Sequence, residues 1–161
     1  MVDENDNVIG KKRRSVVYAE SLSNFRVVNA FVVNSHGKIW IPRRSANKAL
    51  YPLSLDMSIG GHVESGENYA DALAREAHEE LNINPDEFAT HLLGHLRPKD
   101  GVSSFMNVYE IQTDKLPDFN RNDFFEYFML TPRELIELID SGEKAKSDLI
   151  KLIKHFYVDE L

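Results

Sequence analysis

The 161-residue chain contains no cysteine, which excludes disulfides, thiolate zinc sites and a thiol nucleophile. It also lacks any apolar run near the ~20 residues that span a bilayer, and its opening MVDENDNVIG has no apolar segment of the secretory kind. A cytoplasmic protein is therefore expected. Positive charge is short: 19 Lys and Arg stand against 26 Asp and Glu, for a formal net charge of -7. That balance argues against a nucleic-acid polymer or an anionic membrane as the main partner. A small phosphorylated ligand carried with a metal remains compatible. Repeats and low-complexity stretches are missing too. What is present, 42% hydrophobic and 28% charged residues, suits one domain with a sizeable core, so residues 1–161 are read as a single domain.

One stretch organises the rest. Gly60 to Ile83 reads GGHVESGENYADALAREAHEELNI, a glycine pair and a polar loop leading into a helix. Glu76, Glu79 and Glu80 stand at i, i+3 and i+4, which places them within an arc of roughly 100°. Like charges so spaced weaken a helix by a few tenths of a kcal/mol per pair. A bound cation is the natural compensation, and hard oxygen ligands on one face suit Mg²⁺ or Mn²⁺. Ala70, Leu73, Ala77 and Leu81 form a neighbouring apolar stripe expected to pack on a sheet. Asn68 is the expected N-cap with Asp71 three residues on. Asn82 is the expected left-handed residue that ends the helix.

The same residues resemble the Nudix box, G-x5-E-x7-R-E-U-x-E-E-x-G-U with U a bulky apolar residue. Gly61, Glu67, Arg75, Glu76, Glu79, Glu80 and Ile83 occupy signature positions. Ala77 is smaller than usual and Asn82 stands in place of the second glycine. At average residue usage the polar and glycine matches arise by chance at roughly 10⁻⁷ per start position. The resemblance implies the Nudix fold, an α+β arrangement in which a mixed sheet lies between helices (α/β/α). It implies hydrolysis of a diphosphate linked to another moiety, by water attacking phosphorus with metal at Glu76, Glu79 and Glu80. It further implies that the Gly60 carbonyl joins the metal sphere and that Glu67 and Arg75 form a bracing ion pair. An acid in a later loop is implied as ligand or base, and Glu126 is the candidate, so Glu76, Glu79 and Glu126 are the catalytic candidates.

Elsewhere, Val2 to Arg14 reads as two short strands around Asn5-Asp6-Asn7, with the basic Lys11–Arg14 as a solvated strand end. Ser15 to Leu22 reads as a linker or short helix. Arg26–Asn34 and Lys38–Arg43 flank the turn Ser35-His36-Gly37 and make a β-hairpin. Arg43, Arg44 and Lys48 follow, suited to hold phosphate oxygens. Thr90–Arg97 and Val102–Thr113 read as strands around Lys99-Asp100-Gly101. His91 and His95 are four apart on the first of these, too far apart for one zinc ion. Pro117–Leu130 is rich in Phe and suits core or a homodimer contact. Thr131 with Glu134 makes a capping box, and an amphipathic helix from Lys144 to Val158 closes the chain.

The leading VDENDNVIG, the hairpin RVVNAFVVNSHGKIWIPRRS and D-x-S-x-GGHV also resemble the branch near isopentenyl diphosphate isomerase. That isomerase needs a catalytic cysteine, which this chain does not have, and Phe25 stands where isomerase kin carry a histidine. Hydrolysis is the reading that survives, with a nucleoside di- or triphosphate as the expected small-molecule diphosphate substrate and Trp40, Tyr51 and Phe105 available for stacking. A binding module that has lost catalysis, and a hydrolase of prenyl or sugar diphosphates, are the alternatives.

Overall fold

Alternation along two central strands decides the layering. The computed structural model describes all 161 residues. Strand β1 (Arg26–Val33) points Val28, Ala30 and Val32 to one side of the sheet and Phe31 to the other. Strand β2 (Ile39–Arg44) does the same with Trp40 against Ile39 and Ile41. Side chains on a strand alternate faces, so strands buried on both sides need a helical layer on each. Helix α2 (Tyr69–Leu81) covers the first face with Ala72, Leu73, Ala77 and Leu81. Helices α3 (Pro132–Asp140) and α4 (Ser147–Phe156) cover the second with Leu135, Leu149, Leu152 and Ile153. Each fully buried Leu or Ile contributes about 1.5–3 kcal/mol. The result is the expected α+β sandwich of a mixed sheet between helices.

The sheet has six strands in the order β4-β5-β1-β2-β6, with β3 (Ile59–His62) paired to β1 off that path. Strands β4 (Ala89–Leu96) and β5 (Phe105–Gln112) are antiparallel, and β5 runs parallel to β1 from Arg26↔Phe105 to Val33↔Gln112. Strand β6 (Phe124–Leu130) pairs antiparallel with β2. The hairpin turn is set by Asn34, whose Oδ1 accepts from the backbone N–H of His36 and Lys38 at 3.0 Å each, with Gly37 at φ +72°.

The sequence reading is corrected in four places. The two N-terminal strands shrink to a single bridge, Val2↔Val8. The basic run ends in a short helix α1 (Arg14–Ala19) rather than a strand. The Phe-rich segment contributes the sixth strand, with Phe124 buried and Phe125 exposed as alternation requires. On α2 the packed residue is Ala72, and Ala70 faces solvent. The buried stripe is wider than an apolar reading allows, because Glu76 lies within it.

Candidate functional site

Helix α2 is fixed at both ends by its own sequence. Asn68 Oδ1 accepts from the Asp71 N–H at 2.8 Å, and Asp71 Oδ2 accepts from the Asn68 N–H at 3.1 Å, a reciprocal cap that satisfies two otherwise orphaned donors. At the other end Asn82 adopts the left-handed conformation, φ 53° and ψ 40°. The expected cap and stop are both observed. With α2 so held and its apolar side packed on β1, its acids meet the glycine pair of β3.

Gly61 is required by that approach. A Cβ there would lie 2.2 Å from Glu76 Oε1, inside any van der Waals contact. At Gly60 the N–H donates to Glu80 Oε1 at 3.3 Å, and an added Cβ would fall 2.9 Å from Asn29 Oδ1. The backbone therefore forms a floor on which Glu76 and Glu80 rest, one buried and the other half-buried.

Arg75 organises the rim. Its Nε and Nη2 donate to Glu67 at 2.8 and 3.0 Å, a two-pronged pairing, and Nη2 also reaches the His62 carbonyl at 2.9 Å. Its Nη1 donates to Glu76 Oε1 at 2.8 Å and, at 3.4 Å, to Glu79 Oε2. The pairing with Glu67 raises the Arg75 pKa further and lowers that of Glu67. The bracing ion pair expected from the sequence is formed.

Glu80 behaves differently. Burial first, and then the charge of Glu76 and a hydrogen bond with it, push its carboxyl well above the usual carboxylate range, with Asp56 adding to the push. The two acids crowd one another while the guanidinium of Arg75 reaches only Glu76 of the pair. Such a pair, on a floor kept clear by Gly61, fits a hard divalent cation. No three carboxylates converge on one point as the side chains stand. The 3.4 Å contact from Arg75 to the exposed Glu79 is weak, so Glu79 can turn inward at little cost.

Beside these acids opens a cleft of about 460 Å³, within the 300–1,000 Å³ range of small-molecule sites. Arg44 and Lys48 line it, held by Asp56 at 2.9 Å and Asp123 at 2.6 Å. Lys146, at the start of α4, lines it too and stands 3.7 Å from Asp56. His62 stacks on Phe25 at 4.9 Å and meets the Tyr18 hydroxyl at 2.7 Å. Burial, then the charges of Arg14 and Lys146, lower its pKa to about 4, so the ring is neutral near pH 7 and accepts or donates as a neutral imidazole.

Arg43 and Glu126 stand apart from the cleft-lining residues. Across the β2–β6 pairing they face each other, Nε to Oε1 at 3.0 Å, and Arg43 also holds Glu143 at 3.1 Å and the Leu53 carbonyl at 3.0 Å. Adjacent strand residues point to opposite faces, and the sheet pairing shifts register between Arg43 and Arg44. Of the sequence candidates, then, Gly60, Gly61, Glu76, Glu79, Glu80, Arg44 and Lys48 come together, with Arg75 at the edge. Trp40 and Phe105 are buried away from it, and only Tyr51 of the stacking candidates lines it. Sequence reasoning missed Asp56, Asp123 and Lys146. Asp56 lay within the D-x-S-x-GGHV segment, whereas nothing local marked the other two.

Comparison with known proteins agrees with this geometry. Residues 23–153 match the NUDIX domain family. The chain is 61% identical to a Nudix hydrolase of Nostoc sp. over 160 residues, covering 99% of this chain and 95% of the relative. It is 45% identical to a Nudix hydrolase of Deinococcus radiodurans, covering 99% and 94%. The crystal structure of DR0079 from Deinococcus radiodurans superimposes with a TM-score of 0.91 at 45% identity, covering 97% of this chain and 96% of that one.

Proposed function

The chain belongs to the Nudix hydrolase family, which acts on pyrophosphate bonds of phosphorus-containing compounds, and from that premise we propose that it hydrolyses a nucleoside di- or triphosphate with Mg²⁺ or Mn²⁺ held on α2. The observation that carries this reading is the acid pair Glu76–Glu80 on its glycine floor, lining one cleft with the cations Arg44, Lys48 and Lys146. Glu76, Glu79, Glu80 and the Gly60 carbonyl would hold the ion. When bound, it would supply the charge that offsets the phosphoryl oxygens and would make a water more acidic.

The chain's own groups do the rest. Arg44, Lys48 and Lys146 bind the diphosphate oxygens, each tethered by an acid that fixes its direction. Arg75 orients Glu76 through Nη1 at 2.8 Å. Glu79, more than half exposed, takes the proton from the attacking water and can return it to solvent. A new P–O bond forms from water, the bridging P–O bond breaks, and the departing phosphate or pyrophosphate leaves a nucleoside monophosphate.

The test is release of phosphate or pyrophosphate from nucleoside di- and triphosphates, nucleotide sugars, dinucleotides and prenyl diphosphates with Mg²⁺. Turnover of a nucleoside di- or triphosphate is expected, with Glu79→Gln lowering kcat by about 10²-fold or more. Turnover confined to prenyl or sugar diphosphates, or none at all, would sink the reading. Seven of the 24 cleft-lining residues are hydrophobic, too few to sheathe a prenyl chain.

A further inference from the structure

The segment Leu50-Tyr51-Pro52-Leu53, whose first two residues line the cleft, combines three features. Its backbone is strained: Tyr51 and Leu53 have φ of +50° and +59°, a region bulky residues rarely enter. It is bolted down in that shape. The Leu50 carbonyl accepts from Arg44 Nε at 3.1 Å and the Leu53 carbonyl from Arg43 Nη1 at 3.0 Å. Main-chain bonds also join Leu53 and Ser54 to Arg44 at 3.1 and 2.9 Å. Arg43 is in turn gripped by Glu126 and Glu143. The strained conformation is over-determined by three elements, which is where strain persists.

What this clamp presents is apolar and without a partner. Leu50 and Tyr51 line the cleft yet are 45% and 42% exposed. The other aromatic rings of the cleft are engaged: Tyr18 and Phe25 with His62, and Phe124 with Trp40. Tyr51 packs on no other ring, and its hydroxyl contacts Ser147 Oγ at 3.2 Å, so the ring is steadied at its tip while its face stays open. Met57 and Phe124, the apolar groups further in, are already buried.

We propose that Tyr51, with Leu50 beside it, is the wall on which the organic part of the substrate lies, and that this part is a planar heterocycle, the base of a nucleotide. The inference rests on the reading of the protein as a nucleotide hydrolase and deepens it. A flat ring covers a single exposed aromatic face fully, whereas a flexible prenyl chain would leave most of its length on polar lining. The same clamp gives Arg43 and Glu126 a positioning role in place of the direct one expected from the sequence.

Steady-state kinetics on a hydrolysed nucleotide, with wild type, Tyr51→Phe, Tyr51→Leu and Tyr51→Ala, test it. Losing one base–aromatic stack should raise KM roughly tenfold or more in both Tyr51→Leu and Tyr51→Ala, with kcat within about threefold, while Tyr51→Phe restores most of the affinity. Saturation-transfer NMR with a nucleoside 5′-monophosphate and with ribose 5-phosphate is the companion measurement. Contact to the base protons should vanish in Tyr51→Ala, and ribose 5-phosphate should bind both forms alike. Hydrolysis with an unchanged KM in Tyr51→Ala and Tyr51→Leu overturns the wall and leaves the hydrolase reading standing. Tyr51-dependent binding of the monophosphate without any nucleotide turnover supports the wall and overturns the hydrolase reading. Neither binding nor turnover overturns both.

Discussion

Replacing Glu80 by Gln should stabilise the metal-free protein and at the same time disable it. Glutamine keeps the shape of the side chain and an oxygen for the Gly60 N–H, but it carries no charge toward Glu76. Two carboxylates in hydrogen-bond contact repel by about 4 kcal/mol at an effective dielectric near 20. Arg75 on Glu76 relieves part of this, leaving roughly 1–2 kcal/mol to be recovered once both acids would otherwise be ionised. Because the folded-state pKa of Glu80 is raised, the folded protein binds more protons than the unfolded chain above the ordinary carboxylate range. Wild-type stability in chelator must therefore fall as pH rises from that range through the raised value. At about pH 8 in EDTA, Glu80→Gln should melt about 2–8 °C above wild type, at 2–4 °C per kcal/mol for a chain of this length. Mg²⁺ at tenfold over its Kd should add about 1.4 kcal/mol to wild type and little to the variant. Thermal melts with and without Mg²⁺ measure both, and kcat should drop by about 10²-fold. A variant that melts below wild type in EDTA and still responds to Mg²⁺ would refute the idea that Glu80 is strained by the want of a cation.

Gly61→Ala should drive Glu76 off its floor, since the new methyl would stand 2.2 Å from Oε1. Activity should fall by roughly tenfold or more and Tm should drop as well, because the side chain that must yield is buried and held by Arg75. Glu126→Gln should keep kcat within about threefold of wild type, its carboxylate serving Arg43 outside the cleft; a loss as large as that of Glu79→Gln would return Glu126 to the reacting centre.

The acid helix was legible because its information is local. Spacing alone puts Glu76, Glu79 and Glu80 together, and Asn68, Asp71 and Asn82 mark its ends within a few residues. The error at Ala70 came from excluding acids from the packed face. Once Glu76 is admitted to it, the stripe rotates to Ala72. Arg43 and Arg44 are neighbours in sequence and opposites in space, and only the register of β2 against β6 tells which one reaches the cleft. Lys146 and Asp123 arrive from segments 75 or more residues beyond the acid Asp56 or cation Lys48 they help define. Contacts that long leave no trace in local pattern.

Strand β1 is hydrogen-bonded to β2, to β3 and, in parallel, to β5, whose partner residues lie nearly half the chain away. The glycine floor hangs from β1, so its final placement waits on β5, and a ribosome that has delivered only the first hundred residues has made the whole signature but none of the enzyme. Short fragments carrying the box should accordingly be inert and unfolded. The motif is an address written early in the chain, and the building it names is finished late.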